Sequence, residues 1–209
     1  MSRTITRLFD NYIDAERAVA ALERMGVPET DISIVANNSD NSHDHRVVRK
    51  GDGETAGEAA ADDAGKGAAA GGVLGATGGV LAGLGLLAIP GLGPVVAAGW
   101  LASTAVGAVV GATAGGAVGG LVGALTHAGV PEKDAHVYAE GVRRGGTLVS
   151  AKVSDDKAAG AETALNNLNA IDAATRGAAY REAGWSDFDE KAAPYTNDEM
   201  LAERTRYVR

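Results

Sequence analysis

GAAAGGVLGATGGVLAGLGLLAIPGLGPVVAAGWLASTAVGAVVGATAGGAVGGLVGALT, residues 67–126, holds no charged side chain in a chain of which 22% is Asp, Glu, Lys or Arg. Glycine recurs in it at a spacing of four. One row is Gly67, Gly71, Gly75, Gly79 and Gly83; a second is Gly99, Ser103, Gly107, Gly111, Gly115, Gly119 and Gly123. A step of four places successive members on one side of an α-helix, where the missing side chains leave a groove for a close helix partner. Apolar residues such as Val73, Leu74, Val80, Val109, Val110 and Leu121 fill the other faces, which separates the pattern from a Gly/Ser linker. The spacing predicts two glycine-zipper helices.

Between the rows lies Ile89-Pro-Gly-Leu-Gly-Pro94. Two prolines bracketing two glycines stop a helix. Pro90, Gly91, Gly93 and Pro94 therefore predict a turn at 89–94 inside a helical hairpin over 54–127. Arms of about thirty residues would be roughly 45 Å long, enough for a bilayer core of about 30 Å. Each helical glycine costs about 1 kcal/mol relative to alanine, so such arms require lipid or close helix partners. Because four residues overshoot a full turn, the groove drifts around the helix, and one straight partner cannot follow it. Several neighbours, hence a homo-oligomer, are expected.

On either side of the run the chain reads as α+β. Residues 1–53 give a strand near Thr4–Phe9, a helix on Ala15, Ala18, Val19, Leu22 and Met25 with Asp14 as its cap, the strand Ile32–Ala36, and a polar loop. Residues 128–175 give a helix opened by Pro131, the strand Thr147–Val153, a helix from Asp155 to Leu168, and a short strand at Ile171–Ala174. Joined, the two pieces predict a ferredoxin-like split βαβ domain interrupted by the hairpin. Residues 176–209 read as a mixed-charge tail with Trp185, Phe188, Tyr195 and Tyr207, loosely packed or docking on the domain or on a protein partner.

Composition narrows the chemistry. The net charge is −8 and no dense basic cluster exists, which argues against nucleic acid as a partner. The absence of cysteine removes disulfides and thiolate chemistry. Met1 to Phe9 lacks the apolar stretch of a secretory signal, so insertion would have to come from the internal run. His43-Asp-His45 supplies two metal-ligand types, but sits in a polar loop and reads as solvated. Gly65-Lys66-Gly67 lacks the earlier glycine and the following Ser or Thr of a phosphate loop. Gly83-Leu-Gly85-Leu-Leu-Ala88 matches a loose dinucleotide fingerprint by glycine abundance alone. No catalytic, cofactor or metal residue is assigned.

Arg7-Leu-Phe, Glu16-Arg-Ala-Val-Ala-Ala-Leu and Gly26-Val-Pro-Glu-Thr-Asp-Ile-Ser-Ile-Val resemble the bacterial general stress protein 17M-like (heat-induced stress protein) family. The segment from Gly129-Val-Pro-Glu to Thr147-Leu-Val resembles the stretch after the glycine-rich region in related bacterial proteins. The resemblance implies a bacterial, stress-associated role and carries over no catalytic residue. The leading expectation is a non-enzymatic protein, soluble domain in the cytoplasm, whose hairpin enters or associates with inner-membrane lipid and packs with other copies. The alternatives are a soluble cytoplasmic assembly in which hairpins bury one another and, third, a small-ligand or enzymatic domain.

Overall fold

Strand β1, Ser2–Phe9, is buried on both faces toward its end, sending Ile5 and Phe9 to one core and Leu8 to the other. Residues 2–43, 85–89, 91–102, 104 and 120–207 are described in the computed structural model. Helix α1, Tyr12–Arg24, follows after two residues, and Asn11 caps it by accepting the Asp14 N–H at 2.8 Å. Asp14 lies inside the first turn, where its carboxylate accepts from Asn11 and Arg17. The cap is thus Asn11 and not Asp14. Asn11→Ala should lower stability by about 1 kcal/mol in urea denaturation.

β2, Ile32–Asn37, is buried at all six positions. A strand with no exposed side belongs to a sheet covered on both faces. The sheet has five antiparallel strands in the order β1-β5-β2-β4-β3, where β3 is Gly85–Ile89, β4 is Gly93–Ala98 and β5 is Thr147–Ser154. β5, Thr147–Ser154, lies between β1 and β2, with Ser150 opposite both Thr6 and Ser33. On the outer side of β1, Leu8 and Ile171 exchange backbone hydrogen bonds of 3.0 and 2.8 Å. The strand expected at 171–174 is only this bridge, because Asp172 accepts the Thr175 N–H at 2.7 Å and starts helix α5, Ala173–Glu182, at once.

The expected helical hairpin is overturned at its centre. Gly85–Ile89 is strand β3, Gly93–Ala98 is strand β4, and β4 pairs with β2. The turn between them is closed by Leu92 N–H to Ile89 O at 3.0 Å. Gly91 has φ +75°, a left-handed backbone that Pro-Gly type II turns require and an α-helix cannot use. A Pro-Gly pair stops a helix, but it is equally a hairpin signal, and the β-branched Val95 and Val96 settle the competition through pairing with β2. Gly99 falls at the corner after β4 with φ +81°, so it belongs to no helical row. Gly123 is in helix α2, Gly120–His127. Gly67, Gly71, Gly75, Gly79, Gly83, Pro90, Ser103, Gly107, Gly111, Gly115 and Gly119 lie outside the described residues.

Helices cover both faces. α1 and α4, Asp155–Asn166, pack Ala15, Ala18, Leu22, Ala158, Ala161 and Leu165 on Ile5, Ile34, Val149 and Ala151. The opposite face carries Leu8, Val35, Val95 and Leu148 under α2, α3, Glu132–Arg143, and α5, Ala173–Glu182. The expected boundary at residue 176 falls inside α5. Tyr180, Phe188 and Met200 are buried, so the stretch that read as a tail is part of this layer, ending in α6, Asn197–Tyr207.

Candidate functional site

The turn of the β3–β4 hairpin lies beneath residues 185–196, the connection between α5 and α6. A Cβ on Gly91 would stand 2.9 Å from Glu190 Cα and 3.0 Å from Asp189 O, and one on Gly93 would stand 3.0 Å from Pro194 Cβ. These glycines, expected as turn residues, also permit a close approach of this connection. Asn37, 2% exposed, ties the turn to α3 by donating Nδ2–H to Leu92 O at 3.3 Å and Arg143 O at 3.4 Å.

At the C-terminal end of α3, Glu140 is wholly buried and its Oε1 accepts from Arg143 at 3.0 Å and from Arg144 at 2.6 Å. Arg144 continues to Glu203 of α6 at 3.0 Å, and Glu203 to Arg206 at 2.9 Å. Arg176 of α5 pairs with Asp10 at 2.6 Å, and Arg204 donates to Gly145 O at 3.2 Å. The Arg144 guanidinium lies 4.2 Å from the Tyr180 ring centroid and 5.5 Å from that of Tyr195. Burial opposes the charge of Arg144, yet Glu140 and then Glu203 hold its pKa above the ordinary arginine value. Burial also pushes the Tyr180 and Tyr195 hydroxyls up, so both rings stay neutral partners for the guanidinium.

The crevice among Asp10, Arg144, Arg176, Tyr180 and Glu203 has a volume of about 10 Å³. That is room for about one water, against several hundred Å³ for a small-molecule pocket. The arrangement fastens α6 to α3 and offers no space for a substrate. Among the described residues, no group of three His, Asp or Glu is placed to hold a metal. His43 is buried with its ring 4.3 Å from that of Tyr12, which corrects its reading as solvated; His45 is not described. No helix of the described residues is long and apolar enough to cross a membrane.

Of the residues predicted to pack helices or form the turn, Gly91, Gly93 and Pro94 come together at the hairpin, while Gly99 and Gly123 stand apart. Sequence reading missed the fastening role of Glu140, Arg144 and Glu203. The spacing of Glu140, Arg143 and Arg144 was visible, but it reads equally as a helix end with favourable charges.

Strand β1, helix α1, strand β2 and strand β3 carry the comparison with known proteins. Residues 4–90 match the heat induced stress protein YflT domain. The YflT match ends at residue 90, one past the end of β3. Within it β1 and β2 are not neighbours, because β5, from outside the match, separates them. The YflT-matching segment therefore depends on residues 147–154 to close its sheet. Neither a curated protein nor a solved structure matches the chain.

Proposed function

We propose that this chain is a non-enzymatic, stress-associated assembly protein of the cytoplasm, whose glycine-rich arms pack helix on helix between copies outside the bilayer core. The core is read as a ferredoxin-like split βαβ unit, supported by the two β-α-β passages interlocked at β5 and by the Ile171 bridge. The stress association rests on the YflT match. The tail aromatics are read as internal fasteners, since Tyr180 and Phe188 are buried in the chain's own core.

The observation that carries the choice between lipid and assembly is the stitching of 85–98 into the sheet. His43, Gly85, Thr104 and Gly120 then all belong to one body, so any excursion has to return to it. The 15 residues of 105–119 reach about 50 Å fully extended, less than the roughly 60 Å needed out and back across a 30 Å core. The 41 residues of 44–84 are long enough, but one leg would carry Glu54, Glu58, Asp62, Asp63 and Lys66. Each such charge costs about 3 kcal/mol at a bilayer centre. Mutual burial of the glycine rows avoids both penalties.

Light scattering on the purified chain should give a multiple of the single-chain mass. Gly107→Leu/Gly111→Leu/Gly115→Leu, which fills the groove, should reduce it to one chain with the secondary structure retained. A carbonate wash of expressing cells should release the parent protein into the soluble fraction. A parent of single-chain mass would reject assembly; a carbonate-resistant pellet would return the membrane-inserted reading.

A further inference from the structure

We propose that Met200 is an oxidation site: a peroxide converts its thioether to the sulfoxide, and the sulfoxide unseats helix α6 from the end of α3. The inference stands apart from the assembly reading and does not rest on it. Of the described side chains of α6, only Met200 and Glu203 are buried, so Met200, 2% exposed, is the apolar anchor of this helix. Its seat is the bare backbone of Gly145. A Cβ there would stand 3.2 Å from both Cβ and Sδ of Met200 and 3.3 Å from its Cγ, closer than ordinary contact. The thioether therefore fills a space that exists only because position 145 carries no side chain.

The other attachments of α6 are polar. Glu203 meets Arg144 at 3.0 Å, and Arg204 donates to Gly145 O at 3.2 Å and faces Asp40 at 3.7 Å. A largely buried ion pair returns little once its desolvation is counted, and the part-exposed Arg204–Asp40 contact adds less. Leu201, next along the helix, is 57% exposed and gives no second foothold. With one apolar anchor, α6 is among the elements that open locally while the sheet stays closed. That opening admits the oxidant to a side chain that is otherwise covered.

The step needs only a peroxide as co-reactant. A lone pair of Sδ attacks one peroxide oxygen, and the S–O bond forms as the O–O bond breaks. The departing hydroxide takes the proton from the transferred oxygen, leaving the sulfoxide and water. Sulfur loses an electron pair and the peroxide gains it. The product is polar and carries one more oxygen than the thioether. Reseating the helix would press that oxygen onto the backbone of Gly145, so oxidation holds α6 open. Thiol-dependent reductases return the sulfoxide to the thioether, which makes the change reversible. Met25 is placed differently. It is part-buried beside α4, where its terminal methyl lies 3.0 Å from a Cβ position on Gly160, and it has no share in the α6 seat.

Tryptic cleavage after Arg204 reads the state of α6 in the full chain, and peptide mass mapping reads each methionine. After hydrogen peroxide, cleavage of the parent should rise about tenfold in step with Met200 sulfoxide. It should fall back when methionine sulfoxide reductases for both epimers are added with a thiol reductant. Met200→Leu, which conserves the packing, should stay protected under the same peroxide while Met25 is oxidised. Met25→Leu should respond as the parent does. The return on reduction needs no variant, so a folding defect cannot imitate it. Cleavage unchanged with Met200 fully oxidised, a rise that persists in Met200→Leu, or a Met200 still reduced long after Met25 is fully oxidised would each overturn the proposal.

Discussion

Replacing Gly99 by alanine is expected to destabilise the protein by about 3–5 kcal/mol, read as a lowered urea midpoint at unchanged slope. A Cβ at this corner would collide with the Ile32 carbonyl oxygen and lie 2.8 Å from Ser33 Cα. Those are backbone atoms of β2, a strand paired on both sides, and they cannot swing away. The φ of +81° adds the cost of a left-handed conformation, about 1–2 kcal/mol for an L side chain. A helical-zipper position would behave in the opposite way, since alanine is the better helix former by about 1 kcal/mol. The sign of the change therefore tests where Gly99 resides. Unchanged or increased stability would remove the chain from the β2–β4 corner.

Glu140→Ala should cost about 3–5 kcal/mol, because it leaves two largely buried guanidinium groups without their shared carboxylate. Glu140 is 0% exposed and accepts from both Arg143 and Arg144. The loss should also spread to α6, whose polar attachment runs through Arg144 to Glu203. Limited proteolysis should then cut within 197–207 of the variant under conditions that spare the parent. A variant that matched the parent in urea and kept α6 protected would show that Met200 packing and the Arg204 contact with Gly145 O hold this helix without Glu140.

Much of the fold was legible because each element carried its own local signal. Ala15, Ala18, Val19 and Leu22 repeat at helical spacing, and Thr147–Val153 is β-rich between Gly145-Gly146 and Asp155, so α1 and β5 stand where the pattern put them. The hairpin at 85–98 was not legible. Its glycines obey a period of four and its Pro-Gly pair serves two kinds of turn, so only pairing with β2, some sixty residues earlier, decides between them. The C-terminal layer was hidden differently. Tyr180, Phe188 and Met200 are isolated anchors in a charged stretch, and no periodicity links them. For the candidate site, Gly91 and Gly93 were legible as turn residues; that they also admit Asp189, Glu190 and Pro194 closely was not, because that chain lies nearly one hundred residues downstream.

The position of β5 between β1 and β2 also sets a timetable for the chain during synthesis. β2 is complete at Asn37, yet neither it nor β1 has its shared neighbour until Ser154 has been made. At about 5–20 residues per second that interval is on the order of ten seconds. The whole uncharged run emerges within it, before the sheet that takes up its middle, residues 85–98, can close. A nascent chain of this protein thus exposes its most apolar stretch while its core is still two separate strands, and the ribosome's surroundings meet that stretch before the folded domain exists.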